Sequence, residues 1–198
     1  MTGKERRSWN APLTEEQLRA VTIGEVTPLH GTILLAPYNP GWPAMFARLE
    51  KQIRDLLGAR VLLLEHVGST SIPGLSAKPI IDMVLAVEDS ADEISYVPPL
   101  AAAGYALKIR EQNWFEHRLL KSPVIDGHLH VFSRACGEID RMLAFRDRLR
   151  SSDTDRRLYE RVKQELAARR WKYVQNYADA KSDVVKDILT RATAPSRA

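Results

Sequence analysis

The stretch His66–Val87, HVGSTSIPGLSAKPIIDMVLAV, decides how the rest of the chain is read. Just upstream, Val61–Leu64 is a short run of bulky apolar residues, the pattern of a buried strand. That strand ends in Gly68-Ser69-Thr70. A second apolar run, Ile80–Val87, follows a Gly- and Pro-containing connector and carries one charge, Asp82. A carboxylate inside a buried strand costs free energy unless it has a partner or a metal. The glycine lets backbone N–H groups approach an anion, and the hydroxyls of Ser69 and Thr70 add donors. An acid on the next strand is placed to hold a metal ion that bridges to the same phosphates. Twelve residues, Thr70 to Ile81, separate Ser69 from Asp82, which suits a turn, a short helix and entry into the neighbouring strand.

Side chains alternate along a strand. With Ile81, Met83, Leu85 and Val87 facing the core, Asp82 shares the other face with Val84 and Ala86. In His128–Phe132, Leu129 and Val131 take the core side, which leaves His128 and His130 together opposite. If both strands lie in one sheet, Asp82 and the two histidines meet over one surface. Histidines at i and i+2 bind a metal or serve as acid and base; the plainer alternative is a polar, solvent-facing surface. On the stretch Trp114–Lys121, Glu116 and Arg118 share a face. Glu116 is a candidate second carboxylate, and Arg118 a bidentate phosphate donor, with a cross-strand ion pair as the alternative. Lys78, just before the Asp82 strand, and Lys181, in the C-terminal part, are candidate point charges for a phosphate.

Around this centre the pattern alternates between helix and strand. Thr14-Glu15-Glu16-Gln17 reads as a capping box opening a short helix to Val21. Thr32–Leu35 reads as an edge strand. Pro43 opens a helix to Leu57, with apolar residues at 42, 46, 49, 53 and 56 on one stripe and Gly58 as its stop. Ser90-Ala91-Asp92-Glu93 reads as a second capping box, followed by a helix that Pro98-Pro99 interrupts and Gly104 ends. Tyr105–Ile109, Trp114–Lys121 and His128–Phe132 read as strands, the last two as a hairpin about Asp126-Gly127. From Gly137 three helices are expected: one over Ile139–Leu149, one capped by Asp153 or Thr154, one from Asn176 to Thr190. Residues 1–12 and the tail 192–198 are expected to be disordered or frayed.

Composition sets outer limits. At 198 residues, 44% hydrophobic and 27% charged, this is an ordinary globular chain with no apolar run of membrane-spanning length and no signal-peptide core. The single cysteine, Cys136, excludes an intramolecular disulfide and fits a reducing, cytoplasmic setting. The net charge of +4 is uneven: 13 basic against 15 acidic residues in 1–133, and 16 against 10 in 134–198. The basic half lacks interleaved aromatics, so nucleic acid is not expected as a partner, and neither is a membrane.

The Gly-Ser turn followed at this spacing by an aspartate resembles the nucleotidyltransferase superfamily, whose motif continues Asp-x-Asp. More closely, HVGSTSIPGLSAKPIID is similar to the GrpB family of predicted nucleotidyltransferases, also found fused to dephospho-CoA kinase. Further matches are YNPGWPAMF at Tyr38–Phe46, HLHVF at His128–Phe132, FRDRLR at Phe145–Arg150 and YADAKSDVV at Tyr177–Val185, so the resemblance runs from Pro37 to Leu189. It implies an α+β fold with a nucleotidyltransferase-like mixed sheet of about five strands. In that reading 1–36 is an N-terminal extension, 37–133 the α/β core and 134–198 a helical part packed on it. A nucleotide or other phosphorylated small molecule would bind at Gly68, Ser69 and Thr70, with Asp82 holding Mg²⁺. Transfer of a nucleotidyl group to a small acceptor is the implied reaction, with Asp82, Glu116, His128 and His130 as candidate catalytic groups. Val84 stands where the second motif aspartate falls. A non-catalytic nucleotide- or CoA-binding module, or a partner protein, is therefore the alternative.

Overall fold

The structure is a computed structural model and describes residues 12–193. The disorder expected for the first dozen residues and the last seven falls almost wholly outside that range. Thr14 caps α1 (Glu15–Val21) with both hydrogen bonds of the expected capping box. Between α1 and α2 (Trp42–Leu57) no strand forms. Thr32–Leu35 instead runs as extended chain held by isolated bridges, Gly31 to Trp171 and Ala36 to Ala77. The edge-strand expectation is corrected by neighbours that offer only one pairing residue each. The buried stripe of α2 is Trp42, Leu49, Ile53 and Leu57, each contributing about 1.5–3 kcal/mol by leaving water. A single 3-10 turn, 58–60, leads into β1 (Leu63–Val67).

Gly68 and a second 3-10 turn, Ser69–Ser71, connect β1 to β2 (Ile81–Val87). The next helix, α3 (Glu93–Ala102), departs from expectation twice. Asp92 rather than Ser90 is the N-cap, because the Ser90 hydroxyl is engaged 3.0 Å from Ser133 Oγ. The helix also runs through Pro98 and Pro99. Buried Tyr96 and Leu100 anchor it, and the packing of this short apolar face outweighs the backbone bonds that two prolines forfeit. Three strands follow: β3 (Ala106–Glu111), β4 (His117–Lys121) and β5 (Gly127–Ser133). Strand β4 begins three residues later than expected, since Phe115 and Glu116 sit at φ 54° and 50° in a turn that ends only at His117.

The sheet order is β1-β2-β5-β4-β3, with β2 parallel to β5 and every other pair antiparallel. The α+β class and five-stranded mixed sheet are those anticipated. One face packs on α2 and α3 through Leu64, Met83, Leu85, Leu120, Leu129 and Val131. The other face is also covered, since Val67, Val84, Ala86 and Phe132 pack against Ile139 of α4 (Gly137–Ser151). Ser152 caps α5 (Asp153–Ala167) by accepting from Asp155 N, one residue before the expected cap. The expected last helix is split into α6 (Val174–Asp179) and α7 (Ser182–Thr193). Several arginines of this half pair with carboxylates: Arg146 with Glu65 and Asp147, Arg148 and Arg191 with Asp155, Arg156 with Asp153. No helix of the described residues is long and apolar enough to cross a membrane.

Candidate functional site

The register of β1, β2 and β5 builds the site. Val67 pairs with Asp82, and Asp82 pairs with His128 across the parallel ladder, with His130 opposite Val84. Asp82, His128 and His130 therefore project from one face, at the end of the sheet where β1 passes into the Gly68 turn. His128 Nδ1 lies 3.3 Å and His130 Nε2 4.0 Å from Asp82 Oδ1. Gly68 has φ 67° and ψ −174°, a conformation open to glycine, and a Cβ there would lie 2.5 Å from Asp82 Oδ2. The absence of a side chain at 68 is thus what lets the turn lie directly on the carboxylate.

The turn is braced from the C-terminal helices. Lys163 of α5 is 2% exposed and donates to Ser69 Oγ at 3.0 Å and to the Ser76 carbonyl. Burial pulls its ammonium down to about 7, with Lys181 adding repulsion and Glu160 opposing. Glu160 accepts from both the backbone and the hydroxyl of Ser76. Arg150 of α4 donates twice to the Ser71 carbonyl, at 3.0 and 2.9 Å, and Arg146 donates to the His66 carbonyl. At the start of the turn the N–H groups of Ser69 and Thr70 precede the first intrahelical bonds. The Thr70 side chain corrects the sequence reading. Its hydroxyl is buried, donates to the Ile80 carbonyl and lies 3.0 Å from His66 Nε2, so it ties β1 to the entry of β2 and offers nothing to a ligand. His66 itself stacks on Phe46, and burial, with Arg150 and Arg146 nearby, holds it down to about 4.

Burial opposes the charge on Asp82, but the imidazoles of His128 and His130 outweigh it and hold the carboxyl below the usual carboxylate range. Lys78 feels this charge. Burial lowers its pKa and Asp82 raises it, while Lys181 and Lys121 lower it further against Asp126. Lys181 Nζ rests 4.6 Å above the Tyr177 ring.

Glu116 and Arg118 are not in this group. Arg118 pairs with Val131, so its side chain is on the α2–α3 face, 3% exposed, held by Glu93 at 2.5 Å and by Glu116 at 3.3 Å. The candidate second carboxylate is thus spent on an ion pair across the sheet from Asp82. Strand alternation, which put Glu116 and Arg118 on one face, carried no information on which face that was.

Residues without a role in the sequence reading complete the site. His117 projects from β4 on the Asp82 side, stacked on Phe132 and His130 with centroids 4.8 and 5.2 Å apart. Its Nδ1 is 2.8 Å from Glu111 Oε2 and its Nε2 is 3.0 Å from His130 Nδ1. Burial lowers His117 to about 4, against the pull of Glu111. A cavity of about 290 Å³ adjoins His117 and His130 under α1, α4 and α6. A second, of about 420 Å³, lies beside the turn at His66, Ser71 and Arg150; Asp82 lines neither of these two.

Residues 32–191 match the model of the family described as GrpB protein. The chain belongs to the GrpB family. It is 55% identical over 185 residues to a UPF0157 protein of Halalkalibacterium halodurans, covering 93% of this chain and 95% of that relative. A dephospho-CoA kinase of Mycolicibacterium paratuberculosis is 41% identical over 76 residues, 37% of this chain and 19% of the kinase. The crystal structure of the conserved protein GrpB from Enterococcus faecalis superposes with a TM-score of 0.67 at 29% identity, covering 80% of this chain and 96% of that one.

Magnesium, which the nucleotidyltransferase resemblance implies, does not suit the donors present. Among the described residues one group of three metal-capable side chains converges, Asp82, His128 and His130, and it holds a single carboxylate. Val84, at the second motif position, is fully buried in the layer beneath α4. Mg²⁺ takes oxygen ligands in octahedral geometry, and two imidazoles do not supply them.

Proposed function

We propose that this GrpB-family protein binds a nucleotide, or another phosphorylated small molecule, by its phosphates at Gly68-Ser69, and transfers a nucleotidyl group to a small acceptor. The observation that carries the reading is the seating of the turn: Gly68 lies against the Asp82 carboxylate while the buried Lys163 donates to Ser69 from behind. Because Ser69 Oγ accepts from Lys163, its own proton is available to a phosphate oxygen. Lys78 and Lys181 offset the charge of the phosphates. In the transfer, the oxygen of an acceptor hydroxyl bonds to the α-phosphorus and gives up its proton to solvent as the bond to the pyrophosphate oxygen breaks and its electron pair leaves with pyrophosphate. Positioning and charge neutralisation supply the rate.

Buried Val84 favours a second reading, a binding module without transfer, since only one carboxylate faces the turn. Calorimetric titration with ATP, GTP, CTP, UTP and pyrophosphate tests both. Ser69→Ala is expected to weaken binding by about 1–2 kcal/mol, roughly five- to thirty-fold. Failure of wild type to bind any of the five probes overturns the phosphate reading. Binding without pyrophosphate release, whichever divalent cation is supplied, selects the module.

A further inference from the structure

We infer that Asp82, His128 and His130 form a binding site for a transition-metal ion of the zinc, cobalt or manganese class, and that Glu111 and His117 position His130 as its ligand. The argument starts from protons. The Glu111 carboxylate can only accept, so the 2.8 Å contact puts a proton on His117 Nδ1. With Nδ1 protonated, neutral His117 presents the lone pair of Nε2 to His130, and the 3.0 Å contact between them requires a proton on His130 Nδ1. A neutral His130 then has its lone pair on Nε2, the atom facing Asp82 Oδ1 at 4.0 Å. Asp82 Oδ1 and this Nε2 are then two acceptors that only a cation joins, either a proton held on the imidazole or a metal ion bound by both. Two ligands each about 2.0–2.2 Å from one ion lie at most about 4.0–4.4 Å apart, so the 3.3 Å separation from Asp82 Oδ1 to His128 fits a shared ion and the 4.0 Å separation to His130 falls within its reach.

His128 adds a second ligand atom: its Nδ1 lies 3.3 Å from the same carboxylate oxygen, while its buried Nε2 has no hydrogen-bond partner among the described residues. Two histidines and one carboxylate, all partly accessible, make a three-ligand set with open positions, and imidazole nitrogen selects transition metals over magnesium. The Glu111–His117 pair is the outer shell such sites use to fix tautomer and ring orientation. If the phosphate reading holds, a phosphate oxygen from the Gly68-Ser69 turn takes one open position; the metal site itself does not depend on that reading.

The test uses full-length protein stripped with chelator and titrated with Zn²⁺, Co²⁺ and Mg²⁺ in the absence of nucleotide, by calorimetry and by the visible spectrum of bound Co²⁺. One equivalent of Zn²⁺ or Co²⁺ is expected to bind, Mg²⁺ is not, and Asp82→Ala and His130→Ala are expected to lose the site while unfolding cooperatively. Absence of Zn²⁺ and Co²⁺ binding, binding that survives either substitution, or equal uptake of Mg²⁺ overturns the inference. Glu111→Gln tests the positioning role, because it removes the demand for a proton on His117 Nδ1. A ten- to hundred-fold loss of Zn²⁺ affinity with an altered Co²⁺ spectrum is expected. Unchanged affinity and spectrum overturn that role, and His117→Gln provides the same readout if Glu111→Gln does not fold. Failure of pyrophosphate and nucleotides to bind, with zinc bound as described, would remove the phosphate reading and leave the metal site standing.

Discussion

Replacing Gly68 by alanine probes the contact that brings the turn and the carboxylate together. The new Cβ would lie 2.5 Å from Asp82 Oδ2, 2.9 Å from its Cβ and 3.1 Å from its Cγ, so the carboxylate cannot keep its place. Holding a non-glycine residue at φ 67° and ψ −174° costs about 1–3 kcal/mol. Moving Asp82 away from His128 forfeits a charge-assisted contact, about 1.5–3 kcal/mol. Against this, alanine narrows the unfolded ensemble by about 0.4–1 kcal/mol. The expected net loss is about 2–4 kcal/mol, which for a chain of this size lowers Tm by roughly 5–15 °C. Denaturant unfolding of Gly68→Ala, Asp82→Gly and the double variant separates the two causes. Asp82→Gly is the right partner because even an alanine Cβ would remain at 2.9 Å. Backbone strain persists in the Asp82→Gly background, whereas the steric part disappears, so a coupling of about 1–2 kcal/mol is expected. An equal cost of Gly68→Ala in both backgrounds would refute the claim that Asp82 is what demands glycine at this position.

Lys163 is lowered to about 7 by burial, below its unfolded value, so protein stability should rise with pH from about 7 to about 10.5, where the unfolded chain binds the extra proton. Lys163→Met should flatten that rise in urea-denaturation series, and an unchanged slope would contradict the burial argument. His66, lowered to about 4, gives a second window of the same sign at lower pH: stability should fall as pH drops from about 6.5 to 4, and His66→Gln should remove part of that fall in the same assay. Thr70→Val deletes the hydroxyl between His66 and the Ile80 carbonyl and should cost about 2–4 kcal/mol in denaturant unfolding, with Zn²⁺ affinity little changed; a loss below 0.5 kcal/mol would show that water replaces the hydroxyl.

Much of this architecture was legible because local chemistry and the tertiary result agree. Thr14 and Gln17 form the capping box their spacing advertises, Trp42, Leu49 and Ile53 of the expected α2 stripe are buried, with Leu57 rather than Leu56 as its last member, and Asp82 shares a face with His128 and His130 as a two-residue period requires. Periodicity carries no information on strand order or on what covers a face, and the misreadings concentrate there. Alternation put Glu116 beside Arg118, but only the β3-β4-β5 order decides which face they take and makes His117 a partner of His130. The prolines of α3 read as a break because their cost is local, while the burial of Tyr96 and Leu100 that outweighs it is not. Lys163 and Arg146 stood as charges on otherwise apolar helical stripes, the one signal that they point inward. Their acceptors, Ser69, Ser76 and the His66 carbonyl, lie 80 to 94 residues away in sequence and are reached only when the C-terminal helices pack over the sheet. Residue types and spacing thus determined the elements and the glycine-bearing turn, whereas the series of contacts from Glu111 through His117 and His130 to Asp82 exists only because the fold brings four separate strands together, which no local pattern encodes.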